Sequence, residues 1–106
     1  MVNKYEALLL FHPEVGTDGR RETLDKFAGV INSQGGQIVE EDDWGKRTLA
    51  YPIQKVTRGH YVRLEFALEG TAVTELERRI RITDGIMKFL TVKLADNFEP
   101  QAEEAA

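Results

Sequence analysis

Residues 43–53, D-W-G-K-R-T-L-A-Y-P-I, decide the fold. The run opens as a turn and continues as a strand, and it holds a proline, Pro52, inside that strand. A proline has no N–H to give to a ladder, so a strand containing one belongs at a sheet edge. An edge strand leaves a row of backbone donors and acceptors open to another chain. The same run carries two cations, Lys46 and Arg47, and two large aromatics, Trp44 and Tyr51.

Working outward, Gln37–Ile53 reads as one long second strand, bent near Trp44-Gly45. Gly35-Gly36 before it supplies a left-handed stop for a helix over 18–33, whose Leu24, Phe27, Ala28 and Ile31 share one stripe. Ahead of the helix, residues 4–12 form a first strand closed by Pro13. It is apolar on both faces, as a central strand is. Downstream, Thr57-Arg58-Gly59 is assigned to the turn into a third strand over 60–68. That strand alternates Val62, Leu64 and Phe66 with Tyr61, Arg63 and Glu65. Thr71 is expected to N-cap a second helix with Val73, Leu76 and Ile80 inward. Asp84-Gly85 then turns the chain into a fourth strand over 86–94. Alternation there predicts Leu90, Val92 and Leu94 toward the core, and Met87, Phe89, Thr91 and Lys93 away from it.

The order is βαββαβ. Right-handed crossovers make this an α+β, ferredoxin-like domain: a four-stranded antiparallel sheet with two helices on one face and the second and fourth strands at the edges. Residues 1–95 make up the domain, and 96–106 form an acidic tail expected to be disordered. The open sheet face is expected to show Tyr61, Arg63, Met87, Phe89 and Lys93.

Composition narrows the function classes. There is no cysteine, which excludes disulfides, thiolate catalysis and cysteine metal sites, and which fits a reducing cytoplasm. No apolar run approaches the roughly 20 residues of a membrane span, so neither a membrane nor a secreted role is expected. The formal net charge is −4. It arises wholly in the segment after residue 95, whereas residues 44–95 hold 10 bases against 5 acids. A neutral body with a basic half is compatible with nucleic acid. It is too poor in cations to bind RNA strongly alone, so a partner is expected to help.

No constellation calls for catalysis. Glu40-Glu41-Asp42-Asp43 cannot converge on a metal, because neighbours on a strand point to opposite faces. His12 and His60 have neither a nucleophile nor an acid at a telling spacing, which leaves them structural or surface roles. Arg58-Gly59 begins an RNA-recognition-motif pattern that the next residues break, so that motif is rejected. Arg78, Arg79 and Arg81 complement a helix C-terminus. Trp44 is either a cover for the sheet end or an anchor for a partner.

On these residues the chain resembles the bacterial small-subunit ribosomal protein six family. The resemblance runs from Tyr5-Glu6 and His12-Pro13 through Gly35-Gly36, W-G-K-R-T-L-A-Y-P-I and His60-Tyr61-Val62 to Val92-Lys93. It implies a non-enzymatic constituent of the small ribosomal subunit in the cytoplasm. Such a protein binds small-subunit rRNA in the central domain together with small-subunit ribosomal protein eighteen, without cofactor, metal or small-molecule substrate. Carried over, it implies partner contacts at Trp44, Arg47, Leu49, Tyr51 and Tyr61, and RNA contacts at Lys4, Tyr5, Arg63, Lys88 and Lys93. The competing class is a ligand-binding sensor or enzyme on the same fold, because a fold alone does not fix a function.

Overall fold

The computed structural model describes residues 2–53 and 55–95. The chain runs β1 (Val2–Phe11), α1 (Thr17–Ser33), β2 (Gln37–Ile53), β3 (Val56–Glu69), α2 (Gly70–Arg81) and β4 (Ile86–Ala95). The strands pair antiparallel in the order β2-β3-β1-β4. This is the expected ferredoxin-like βαββαβ arrangement. It places β2, with Pro52, at an edge, as the missing N–H requires. The acidic segment 96–106 lies outside the described residues.

Both helices cover one face. Leu24, Phe27 and Ile31 of α1 and Val73, Leu76 and Ile80 of α2 pack with Tyr5, Ala7, Leu9 and Phe11 of β1 and Val62, Leu64, Phe66 and Leu68 of β3. Each large side chain fully buried there contributes roughly 1.5–3 kcal/mol. The predicted stop of α1 takes the form of a Schellman motif. Gly35 has φ +82°, its N–H donates to the Asn32 carbonyl at 3.1 Å, and the Gly36 N–H reaches Ile31 at 2.9 Å. Gly36 has a second reason to be glycine, since a Cβ there would lie 2.2 Å from the Ala67 carbonyl oxygen.

Three local expectations need correction. Thr57, Arg58 and Gly59 lie inside β3, and Lys55 takes the positive φ of the turn instead. Thr71 lies inside α2, whose N-cap is Glu69, without a side-chain capping bond. The faces of β4 are also inverted. Phe11 pairs with Ile86 and Leu10 with Lys88, so Met87 is an extra, bulged residue that shifts the alternation by one. Phe89, opposite Leu9, therefore packs on the core, and Lys93 stands opposite buried Tyr5. Leu90 and Val92 stand opposite Leu8 and Glu6 on the open face, with Leu90 59% exposed.

Candidate protein and nucleic-acid interface

The edge strand β2 is irregular in two places, both within the run that decided the fold. Asp43 pairs with Val62 and Gly45 with Tyr61, which leaves Trp44 as the extra residue of a bulge. Gly45 sits at φ +80°, a conformation glycine reaches without strain. Asp43 Oδ1 accepts the Gly45 N–H at 2.8 Å and lies 2.5 Å from His60 Nε2. Partial burial acts to raise the Asp43 carboxyl, but the bonds from His60 and Gly45 outweigh it and hold the group below its usual range. His60 is thus tied to Asp43 in the role of a structural residue.

The second irregularity lies further along. Thr48 pairs with Arg58, and the next pair is Ile53 with Val56. Leu49, Ala50, Tyr51 and Pro52 have no cross-strand register partner and arch over the open face. Beneath the arch is a groove of about 250 Å³, lined by Leu8, Leu10, Leu49, Tyr51, Tyr61 and Leu90 among others. Leu10 is fully buried although it points away from the helices. Gly59 makes room for it, because a Cβ at that position would lie 2.4 Å from Leu10 Cδ1. Lys88 of the opposite edge donates to the Tyr51 hydroxyl at 3.1 Å and stands 5.7 Å over that ring. That bond pushes the Lys88 ammonium up.

The five residues assigned to a protein partner gather on this edge. Trp44 (43% exposed) tilts against Tyr61 with ring centroids 6.4 Å apart, and Arg47 Nε donates to the Trp44 carbonyl at 3.1 Å. Leu49, Tyr51 and Tyr61 line the groove beside them.

The five residues assigned to RNA do not form one surface. Tyr5 is buried, stacked on Phe66 at 5.7 Å, with its hydroxyl accepting from the Asn3 amide; it is a core residue. Lys93 is corrected off the open face by the β4 bulge. Arg63 is on the open face but engaged there. It bonds Glu6, lies 3.0 Å from Asp42 and 3.1 Å from Glu65, and has Glu40 at 3.9 Å. Glu6 and the neighbouring carboxylates push its guanidinium up. Lys4 pairs with Glu65 at 3.4 Å. Lys88 is held by Tyr51.

Exposed cations collect elsewhere, at the turn end of the β2–β3 hairpin. Lys46, Arg47, Lys55 and Arg58 are all exposed there. Arg58, which the sequence assigns to a turn, stands on β3 itself. The arginines at the end of α2 are occupied: Arg78 and Arg79 bond Glu75, and Arg81 lies over Phe89. Arg78 and then Arg79, through their bonds to it, hold the Glu75 carboxyl down to about 2. Among the described residues no group of three or more acids, histidines or cysteines could hold a metal, and no helix is long and apolar enough to cross a membrane.

A family profile described as Ribosomal protein S6 matches residues 4–93. The chain belongs to the ribosomal protein S6 family. It is 55% identical over 100 residues to the small ribosomal subunit protein bS6 of Solidesulfovibrio magneticus, covering 94% of this chain and 98% of that one. It is 54% identical over 105 residues to the bS6 protein of Oleidesulfovibrio alaskensis, covering 99% and 100%. The crystal structure of 30S ribosomal protein S6 from Thermotoga maritima superposes with a TM-score of 0.83 at 25% identity, over 99% of this chain and 98% of that one. Membership of the S6 family makes the chain a structural ribosomal protein of the small subunit, which in bacteria is cytoplasmic, and not an enzyme.

Proposed function

We propose that this S6-family protein binds small-subunit rRNA jointly with small-subunit ribosomal protein eighteen and supports subunit assembly. In this reading the β2 edge and its groove dock the protein partner. Trp44 is the anchor, and Arg47, Leu49, Tyr51 and Tyr61 surround it. The observation that carries the reading is the arch over residues 49–52. It leaves backbone groups without ladder partners beside an apolar groove and exposed aromatics, the composition of an interface centre. The RNA surface is the exposed hairpin end, Lys46, Lys55 and Arg58, with Lys88 beside the groove. Lys4 and Arg63 sit in carboxylate pairs and hold the sheet face together. Lys93 remains an outlying candidate.

Chemical footprinting of small-subunit rRNA tests this. With protein eighteen present, the chain is expected to protect a compact central-domain site, and alone to protect little. Absence of protection with both proteins present overturns the joint-binding reading.

A further inference from the structure

We infer that the Asp43–His60 pair is a positioning device: it fixes how Trp44 is presented at the sheet edge, and His60 acts through Asp43 rather than by filling core volume. The consequence for partner docking rests on the function proposed above; the geometry does not.

Trp44 is the extra residue of a two-against-one pairing, so the ladder itself does not define its backbone. The following residue has φ +80°. A bulged edge residue next to glycine has soft torsions unless something else holds them. One carboxylate oxygen does so here. Asp43 Oδ1 takes the Gly45 N–H at 2.8 Å on the far side of the bulge and the His60 ring at 2.5 Å from the neighbouring strand. The histidine is 8% exposed, whereas the Asp43 side chain is 59% exposed. A buried ring on β3 therefore grips a surface carboxylate on β2, and that carboxylate closes the bulge. A charge-assisted bond of this length is among the stronger ones available to side chains. The recess behind His60 also holds Lys46 of β2 and Arg20 of α1. Arg20 is turned to its own loop, bonding the Val15 carbonyl at 2.7 Å and Thr17 Oγ1 at 3.2 Å. Asp43 is the carboxylate that meets His60.

Trp44 is the only tryptophan in the chain, so indole fluorescence excited at the red edge, where the three tyrosines do not absorb, reports on this bulge alone. In the intact chain, His60→Leu is expected to red-shift Trp44 emission and raise its quenching by acrylamide toward that of a free indole. His60→Gln, whose amide N–H can still reach the carboxylate, is expected to restore most of the protection. Asp43→Asn keeps the size of the side chain and is expected to fall between them; it serves as the test where His60→Leu does not fold. Ile80→Val, a core change remote from the edge, is expected to lower the melting temperature without moving the Trp44 signal. If His60→Leu or Asp43→Asn melts earlier while Trp44 emission and quenching stay at the parent values, the positioning role is overturned. Affinity for protein eighteen, measured on the same variants, separates the two readings. A loosened Trp44 with unchanged affinity sinks the docking edge and leaves the device standing. An unchanged Trp44 sinks the device whatever the affinity does.

Discussion

The two ends of the open sheet face use similar residue types to opposite effect. At one end, cross-strand register sets Glu40, Glu65 and Glu6 abreast, with Asp42 beside Arg63 in the next row. Four carboxylates there surround one guanidinium, and Lys4 closes on Glu65. At the other end, Lys46, Lys55 and Arg58 face water while Tyr51 and Tyr61 line a groove and Trp44 tilts against Tyr61. Cations at the first end are neutralised within the molecule, and cations at the second are available to a partner. Formal charge along a strand does not distinguish the two; cross-strand register does.

Removing Arg63 tests that contrast most severely. Arg63→Met keeps the unbranched stem of the side chain but leaves four carboxylates without their shared counter-charge. The Arg63 side chain is 17% exposed, so the penalty approaches that of a buried pair, reduced by residual solvent. We expect a loss of about 2 kcal/mol, or roughly 10 °C in melting temperature. RNA affinity measured well below that temperature is expected to be unchanged. Retained stability with weakened RNA binding would reverse the assignment and return Arg63 to the RNA surface.

The hairpin end is expected to respond in the opposite way. Lys55→Glu with Arg58→Glu is expected to change stability by no more than about 0.5 kcal/mol, since both side chains are exposed. The slope of log affinity against log salt for RNA is expected to flatten by about 0.7–0.9 for each phosphate that is no longer neutralised. A slope equal to that of the parent would remove this end from the RNA interface and erase the functional half of the contrast.

The contrast also marks what the sequence makes legible. Strand order and the edge position of β2 follow from Pro52, the apolar periods and the glycine stop, because each is a local rule that the fold obeys. Trp44, Arg47, Leu49 and Tyr51 lie near one another because they share one irregular strand, and Tyr61 joins them from the neighbouring strand β3. Besides the turn into β3 and the N-cap of α2, what failed were statements of facing. A single bulged residue, Met87, moved Phe89 into the core and Leu90 and Val92 out of it, and no propensity announces a bulge. Tyr5 could not be assigned without the parity of β1, which turns it toward Phe66. Arg63 was placed on the correct face, but apart from Glu65 its carboxylate neighbours come from β1 and β2, with Glu6 and Asp42 57 and 21 residues away in sequence. The Asp43–His60 bond had a visible hint in the aspartate two residues before Gly45. The histidine side of it depended on register alone.

The smallest expected effect concerns two carboxylates that are register partners, Glu40 and Glu65, and it probes the crowded end from within. Burial acts to raise Glu65, but Lys4 and Arg63 overcome it and hold the carboxyl below its usual range. Its stabilising contribution is therefore complete above the ordinary glutamate range and is lost as pH falls through the lowered value. Glu40 is displaced the other way, pushed up chiefly by Asp42. Its ionised form is disfavoured in the fold, so its stabilising contribution is present at acid pH and is lost as pH rises through the raised value. Near neutral pH, Glu65→Gln should lower the melting temperature and Glu40→Gln should hold or slightly raise it. On acidification the deficit of the first should close, and any advantage of the second should vanish. Shifts of the same sign in both variants would mean that Arg63 serves the four carboxylates alike. Opposite signs would show that the network has a core, Glu6, Glu65 and Asp42 around Arg63, with Glu40 left over at the sheet edge as surplus negative charge.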